Sequence, residues 1–256
     1  MDILHAALLG IVEGITEFLP ISSTGHLMLA SKVLGLAQTE FLKSFEITIQ
    51  LGAILSVVVL FWRTLFTRIG MMVKIAVAFV PTAVIGFLLY PLIKTFLLES
   101  TTVVVWSLAL GGVALILFER WHTEKEGAID DVANITYPQA ALIGVFQSLA
   151  VVPGVSRAAA TIVGGLLLNL KRRTIVEFSF LLAVPTMLAA TGYDLLKSAS
   201  SFADANLGVL AVGFLVSFVV ALLVIKWLLR FVQTHNFTSF GWYRIAIALV
   251  FLLFIL

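Results

Sequence analysis

Glu13-Gly14-Ile15-Thr16-Glu17-Phe18-Leu19-Pro20-Ile21-Ser22-Ser23-Thr24-Gly25-His26 packs two carboxylates, a run of hydroxyls and an imidazole into hydrocarbon-rich sequence. An ionisable group at a bilayer centre costs roughly 2.5–3.5 kcal/mol on insertion scales. Packing alone does not explain so many of them together. Pro20 ends a helix, because it lacks an N–H and its ring clashes with the preceding turn. Each apolar flank is about a dozen residues, too short to cross a bilayer alone. The segment 4–36 therefore reads as a helix–break–helix hairpin that enters and leaves on one face. Such backbone is tolerated only where protein buries it or it lines a wet cavity. Residues 139–170, broken at Pro153-Gly154-Val155-Ser156, have the same design.

The surrounding chain is membrane-like throughout. Its 256 residues are 61% hydrophobic and 12% charged, against about 25% charged in soluble domains. No soluble domain of useful size is left over. The net charge of +2 forms no basic patch with interleaved aromatics, which argues against nucleic acid. Cysteine is absent, which excludes disulfides, thiolate chemistry and cysteine-bound zinc. The start, Met1-Asp2-Ile3-Leu4-His5, has no basic n-region and reads as mature protein.

Six further stretches are long and apolar enough to span: about 45–62, 75–92, 102–118, 175–196, 207–229 and 240–256. The chain also repeats itself. Leu9-Gly10-Ile11-Val12-Glu13 matches Ile143-Gly144-Val145-Phe146-Gln147 at a shift of 134, while Pro20/Pro153, Ser23/Ser156 and Phe45/Phe178 match at 133. The expected fold is an all-α polytopic membrane protein, one domain over 1–256. Repeat one covers about 1–120 and repeat two about 138–256, each a re-entrant hairpin plus three transmembrane helices. An odd number of crossings inverts the second repeat, so the two polar tips meet near the midplane, as in membrane-embedded sites built from broken helices. On this topology Lys32, Lys43, Lys94 and Lys197 lie on one face. Arg63, Arg68, Lys74, Arg120, Lys125, Lys171, Arg172, Arg173, Lys226, Arg230 and Arg244 lie on the other. The basic face is cytoplasmic, so the first hairpin opens outward. The tract from Glu119 to Asp131, with His122, reads as a solvated cytoplasmic loop.

Glu13 and Glu17 are one helical turn apart on one face. A divalent cation or an arginine would relieve their repulsion, and hard oxygen ligands suit Mg²⁺ or Ca²⁺. Ser22, Ser23 and Thr24 are N-cap candidates for the second half-helix, whose free N–H groups and positive dipole end suit an anion. His26 lies on its first turn, and a hydroxyl near an imidazole near a carboxylate is the pattern of an activated nucleophile. At the second tip, the planar fork of Arg157 suits phosphate oxygens, and Thr161 follows one turn later. In an empty site Arg157 can pair with Glu13 or Glu17. Together the tips hold an inventory for phosphoryl transfer, where positioning and charge neutralisation do most of the work. Gln50 and Glu177 are expected only to bond hairpin backbone.

These motifs resemble the undecaprenyl-diphosphate phosphatase family of bacteria, the bacitracin-resistance type. The likeness rests on Glu13-Gly-Ile-Thr-Glu17-Phe-Leu-Pro-Ile-Ser-Ser23-Thr-Gly-His26 and Pro153-Gly-Val-Ser156-Arg157-x-x-Ala-Thr161. Ile49-Gln-Leu-Gly52 and Glu177-Phe-Ser-Phe-Leu-Leu-Ala-Val-Pro185 support it. One departure is Ala158-Ala159 after Arg157, where the family usually has serine and glycine. The resemblance implies hydrolysis of undecaprenyl diphosphate to the monophosphate carrier of peptidoglycan synthesis. It implies catalytic roles for Glu17, Ser23, His26 and Arg157, and substrate binding by Ser22, Thr24, Gly25, Ser156, Arg157 and Thr161. It also implies a divalent cation (Mg²⁺ or Ca²⁺) on Glu13 and Glu17. Ser23 is the expected nucleophile with His26 as its proton acceptor; water activated by His26 or a glutamate stays open. The expected setting is the bacterial inner membrane, with the site facing the periplasm. The expected partners are undecaprenyl diphosphate and the bilayer, with a homodimer left open. Acid-phosphatase-like lipid phosphatases share such tips but need a second histidine shortly after the arginine, and none lies between Arg157 and His235. The alternative from a different class is a prenyl-phosphate transporter or flippase, or a bifunctional protein, using the same site.

Overall fold

The computed structural model describes the backbone of residues 1–96, 100–197 and 206–254, and the side chains of 1–89, 100–192 and 206–253. Among the described residues the regular structure is helical, apart from an isolated bridge between Ile129 and Leu170. The helices are α1 (Ile3–Thr16), α2 (Ser23–Val33), α3 (Glu40–Thr67), α4 (Ile69–Phe96), α5 (Thr101–Trp121), α6 (Tyr137–Gln147), α7 (Arg157–Leu167), α8 (Arg172–Lys197), α9 (Leu207–Phe231) and α10 (Thr238–Phe254). Five segments, Glu40–Thr67, Ile69–Leu89, Thr101–Trp121, Arg172–Gly192 and Leu207–Phe231, are long and apolar enough to cross a bilayer. The sixth predicted span, 240–256, is shorter: α10 has 17 residues, and 255–256 lie outside the described residues, as do the side chains of Lys94 and Lys197.

The two broken-helix units form where Pro, Gly and Ser interrupt the apolar runs. α1 ends before Pro20, and α2 starts at Ser23. α6 passes through a 3₁₀ turn (Ser148–Val151) before α7 starts at Arg157. The residues that cap α2 and α7, Ser22 and Ser156, carry φ of 73° and 76°. A non-glycine residue held there costs about 1–3 kcal/mol and persists only where its surroundings over-determine it. These twin caps are 134 residues apart. The register of the tips is therefore 134 throughout, not 133 as the prolines suggest. Ser22 matches Ser156, and Ser23 matches Arg157, the residue that carries the second tip's charge.

The packing is reciprocal. α1 lies on α9 and α6 on α4; α3 packs on α9 and α8 on α4; α5 pairs with α10 and α3 with α8. Close approach depends on two glycines in equivalent positions. A Cβ on Gly10 would sit 2.8 Å from the Gly213 carbonyl, and one on Gly144 would run into the Ala78 carbonyl. Without a hydrophobic drive between helices in lipid, such small-residue contacts and interhelical hydrogen bonds hold them together. Here Thr82 Oγ1 donates to the Gly144 carbonyl at 2.8 Å, and Ser217 Oγ to the Ile49 carbonyl at 2.7 Å. Beneath the tips, Phe18 and Phe180 meet edge to face at 5.3 Å inside the largest apolar cluster.

The segment from Glu119 to Asp131 is not a uniformly solvated loop. Glu119 belongs to the last turn of α5 and is buried. It accepts from Arg172 Nη2 at 2.6 Å and from the Phe237 N–H at 3.2 Å, tying α5 to the start of α8 and the α9–α10 turn. Glu124 takes the other arm of Arg172 at 2.9 Å. Burial and this guanidinium push the His122 imidazole below its usual range. The Arg172 pair escaped the sequence reading because its partners are about fifty residues apart.

The glycine contact between α6 and α4 is testable. Gly144→Ala forces a side chain into backbone and should cost about 1–3 kcal/mol, read as a lower unfolding midpoint in detergent. An unchanged midpoint would show that α4 and α6 do not meet there.

Candidate active site

The tip of the first hairpin delivers Glu17, Ser23 and His26 from the end of α1 and the first turn of α2, and Glu13 from one turn earlier. All four are buried. The second tip delivers Arg157 at the start of α7. Glu17 joins the two: its Oε2 accepts from Ser23 Oγ at 2.5 Å and its Oε1 from Arg157 Nη2 at 3.1 Å. Of the two expected pairings, Arg157 makes the one with Glu17. Arg157 also donates through Nη1 to the Ser179 carbonyl at 3.0 Å, and its guanidinium lies 6.0 Å from the Phe18 ring centre. Thr161 supports this from behind, bonding Ser179 Oγ at 2.6 Å and the Arg157 carbonyl at 3.0 Å.

His26 is placed differently from the sequence expectation. Its Nδ1 bonds the Ser22 carbonyl at 2.8 Å. A carbonyl only accepts, so Nδ1 carries the proton, and Nε2 is free to accept from Tyr243 Oη at 2.9 Å. The two rings also stack at 5.5 Å. The Ser23 hydroxyl therefore points at Glu17 rather than at His26, and neither glutamate orients the imidazole.

The other expected residues divide by position. Ser22 makes no side-chain cap bond, which leaves the first turn of α2 without a side-chain acceptor for its N–H groups. Ser156 Oγ accepts from the Ala159 N–H at 3.2 Å and so is occupied as a cap. Gly25 packs α2 against Val104. Thr24 is exposed.

Glu13 stands apart. Both of its oxygens are buried and have no hydrogen-bond partner among the described residues. The Glu17 carboxylate lies within hydrogen-bonding reach of it, so the two acids face each other, with the charges of Glu46 and Arg157 nearby. Carboxylate oxygens without a donor are hard ligands of the kind a divalent cation takes. Among the described residues no three His, Asp or Glu side chains are grouped closely enough to hold an ion. Mg²⁺ characteristically uses one or two carboxylates and completes its shell with water and substrate phosphates, and Glu13 with Glu17 fits that donor set.

The sequence reading missed four residues. Arg244 had been assigned to the cytoplasmic basic face; it is wholly buried between the tips. Its Nη1 donates to the carbonyls of Pro20 at 3.2 Å and Val155 at 3.0 Å. Its Nη2 donates to Gly154 at 3.0 Å and Ser107 at 2.9 Å, and its Nε to Leu108 at 3.3 Å. One guanidinium thus binds both hairpin tips and α5. Its space exists because residue 111 is glycine; a Cβ there would collide with Nη2. A lone arginine in the apolar run 240–256 was the signal, since a charge inside a span is a functional hypothesis by default. Glu46, a charge inside the apolar run 45–62, carried the same signal; Tyr243 and Ser179 had no chemical pattern to distinguish them. Gln147, the counterpart of Glu13, bonds Thr82 at 2.9 Å and Thr186 at 3.1 Å and carries no charge into the site.

A serine hydroxyl bonded to a carboxylate, an arginine fork beside it and an uncapped helix start form an arrangement suited to nucleophilic attack on a phosphorus centre.

Residues 6–250 match the family described as bacitracin resistance protein BacA. Three full-length relatives are named undecaprenyl-diphosphatase. The one from Aquifex aeolicus is 54% identical over 252 residues, covering 98% of both chains. The Sulfurihydrogenibium protein is 53% identical over 253 residues, covering 99% of both. The Wolinella succinogenes protein is 51% identical over 255 residues, covering 100% of this chain and 99% of its own.

Arg244→Lys should destabilise the protein and lower turnover together. An ammonium has three donors on a point charge and cannot serve carbonyls fanned across two tips and a helix; uncompensated polar groups of this kind cost about 1–3 kcal/mol each. The check is unfolding midpoint and activity of the purified variant. Wild-type values for both would remove the clamp. Tyr243→Phe removes one bond from His26 and should alter the pH profile of turnover more than the midpoint; an unshifted profile would leave Tyr243 with a packing role only.

Proposed function

Because the chain belongs to the bacitracin resistance protein BacA family, we propose that it hydrolyses undecaprenyl diphosphate to undecaprenyl phosphate and inorganic phosphate, regenerating the lipid carrier for peptidoglycan synthesis. The observation that carries the mechanism is Glu17, bound at once to Ser23 and to Arg157 across the two tips. The diphosphate sits where these groups converge. Arg157 exchanges its bond to Glu17 for the phosphate oxygens, and the N–H groups at the start of α2 take further oxygens. Ser23 Oγ attacks the terminal phosphorus while Glu17 Oε2 receives its proton. The bond between that phosphorus and the bridging oxygen breaks, and undecaprenyl phosphate leaves. Water then attacks the phosphoserine; as the P–Oγ bond breaks, Glu17 returns its proton to Ser23 Oγ, the proton from water passes to His26 or to the carboxylate Glu17 has just vacated and from there to solvent, and phosphate departs with Ser23 restored.

A divalent cation, Mg²⁺ or Ca²⁺, would be held by Glu13 and Glu17. When bound, it supplies positive charge against the phosphate oxygens. The unpartnered oxygens of Glu13 support this assignment.

The finer architecture belongs to the same proposal. Six crossings, two re-entrant hairpins and an inverted repeat divided at about 120–138 are supported by the reciprocal packing and the 134-residue register. α10, at 17 residues, would be the sixth crossing. With Arg244 and the Glu119-paired Arg172 removed from the tally of surface charge, the basic residues still favour one face. This supports an inner-membrane protein whose site opens to the periplasm.

Purified protein should release phosphate from undecaprenyl diphosphate, and chelation should suppress it. Arg157→Lys should lower kcat/KM by 100-fold or more, about 2.7 kcal/mol. Ser23→Ala should abolish the ³²P-labelled serine that rapid acid quenching traps in the wild type. Full turnover by Ser23→Ala would transfer the attack to water. Glu13→Gln should weaken cation binding measured by calorimetry; unchanged affinity would move the ion elsewhere.

A further inference from the structure

Beside the site, an open groove of about 230 Å³ runs between α2 and α10, lined by Val12, His26, Leu29, Ala30, Val33, Ile247 and Phe251. Apart from His26 its walls are apolar. Two helical stripes build it. On α2, residues 26, 29, 30 and 33 share one face; on α10, residues 243, 247 and 251 do so. Both stripes start at one contact, the hydrogen-bonded and stacked His26–Tyr243 pair. From there the groove follows α2 for two turns, about 10 Å, and ends at Val33, which is 71% exposed. Polar chemistry at one end thus passes directly into a hydrocarbon track that leads outward. The second cavity, of about 160 Å³, shares no residue with the site and carries Arg68 and Lys74 on its wall.

We propose that the α2–α10 groove seats the first isoprene units of the prenyl tail, entering past the His26–Tyr243 pair. The assignment rests on the diphosphatase reading above. It follows from the substrate's construction: the phosphate ester fixes the start of the tail next to the head, so the first units must leave the site along an adjoining apolar wall. The groove is smaller than the roughly 300–1,000 Å³ of drug-sized pockets. It grips the start of the tail and leaves the rest to lipid. Recognition therefore depends on the first units and is indifferent to total chain length.

The test has two arms. A farnesyl diphosphate analogue with a photoreactive group on its first isoprene unit is irradiated with the full-length protein in detergent, and the labelled peptides are mapped. Label on Leu29–Val33 and Ile247–Phe251 is expected; label confined to other helices overturns the groove. In the second arm, Ala30→Phe fills the track and should raise KM for farnesyl diphosphate about tenfold, with kcat changing far less. An unchanged KM in a folded variant also overturns it. If Ala30→Phe does not fold, the labelling map decides alone. Absence of phosphate release by the wild type would instead sink the diphosphatase reading, and the label position would still judge the groove.

Discussion

A buried cation with no anion paired to it among the described residues ties the two hairpin tips to α5. Arg244 places its donors on five backbone carbonyls drawn from both hairpin tips and α5. Three of these carbonyls, on Pro20, Gly154 and Val155, are ones a broken helix leaves unpaired, which could not be tolerated in an apolar interior; the other two, on Ser107 and Leu108, belong to the continuous helix α5. The break supplies acceptors, and the guanidinium needs them. Each resolves the other's desolvation, and the result fixes the distance between elements more than a hundred residues apart in the chain. The bond between Arg157 and Glu17 is a smaller version of the same solution, with one partner left able to change.

That difference separates scaffold from chemistry. Arg244 is saturated and inaccessible, whereas among the described residues Arg157 keeps a buried Nε without an acceptor and Glu13 two oxygens without a donor. Unsatisfied buried polar atoms are expensive; among the described residues those of Glu13 and Arg157 belong to the paired tips, while Ser31, Ser44, His122, Gln147 and Arg172 hold others elsewhere. The strained serines fit the same logic. The positive φ of Ser22 turns the chain so that Ser23 begins α2 facing Glu17, and the twin strain at Ser156 does the same for Arg157. Ser23 and Arg157 occupy equivalent places in the two halves, one a hydroxyl and the other a cation.

Much of this was legible in the residues. Broken helices announce themselves because proline, glycine and serine cannot be concealed in an apolar run, and the cluster of Glu13, Glu17, Ser23, His26 and Arg157 stood out for the cost of burying it. What the pattern hid was partnership. Ser23 and His26 look like a pair three residues apart, yet the turn at Ser22 gives the hydroxyl to Glu17, and the imidazole goes to a tyrosine 217 residues away. Arg244 looked like one more basic residue near a helix end. The prolines suggested a register one residue off, since Pro20 and Pro153 mark the breaks without being equivalent within them. Glu119 looked solvated for want of a visible partner.

The reciprocal seating of the hairpins also has a consequence in time. α1 is made first, yet the surface that receives it is α9, about two hundred residues later in the chain. At a synthesis rate of about 5–20 residues per second, its Gly10 face has no permanent neighbour for some 10–40 s. Lipid, the insertion machinery or a transient companion must occupy it meanwhile. α6 is under no such delay, because α4 already precedes it. The order of the chain thus offers its second hairpin a waiting wall, whereas the first meets its own only when the ninth helix follows.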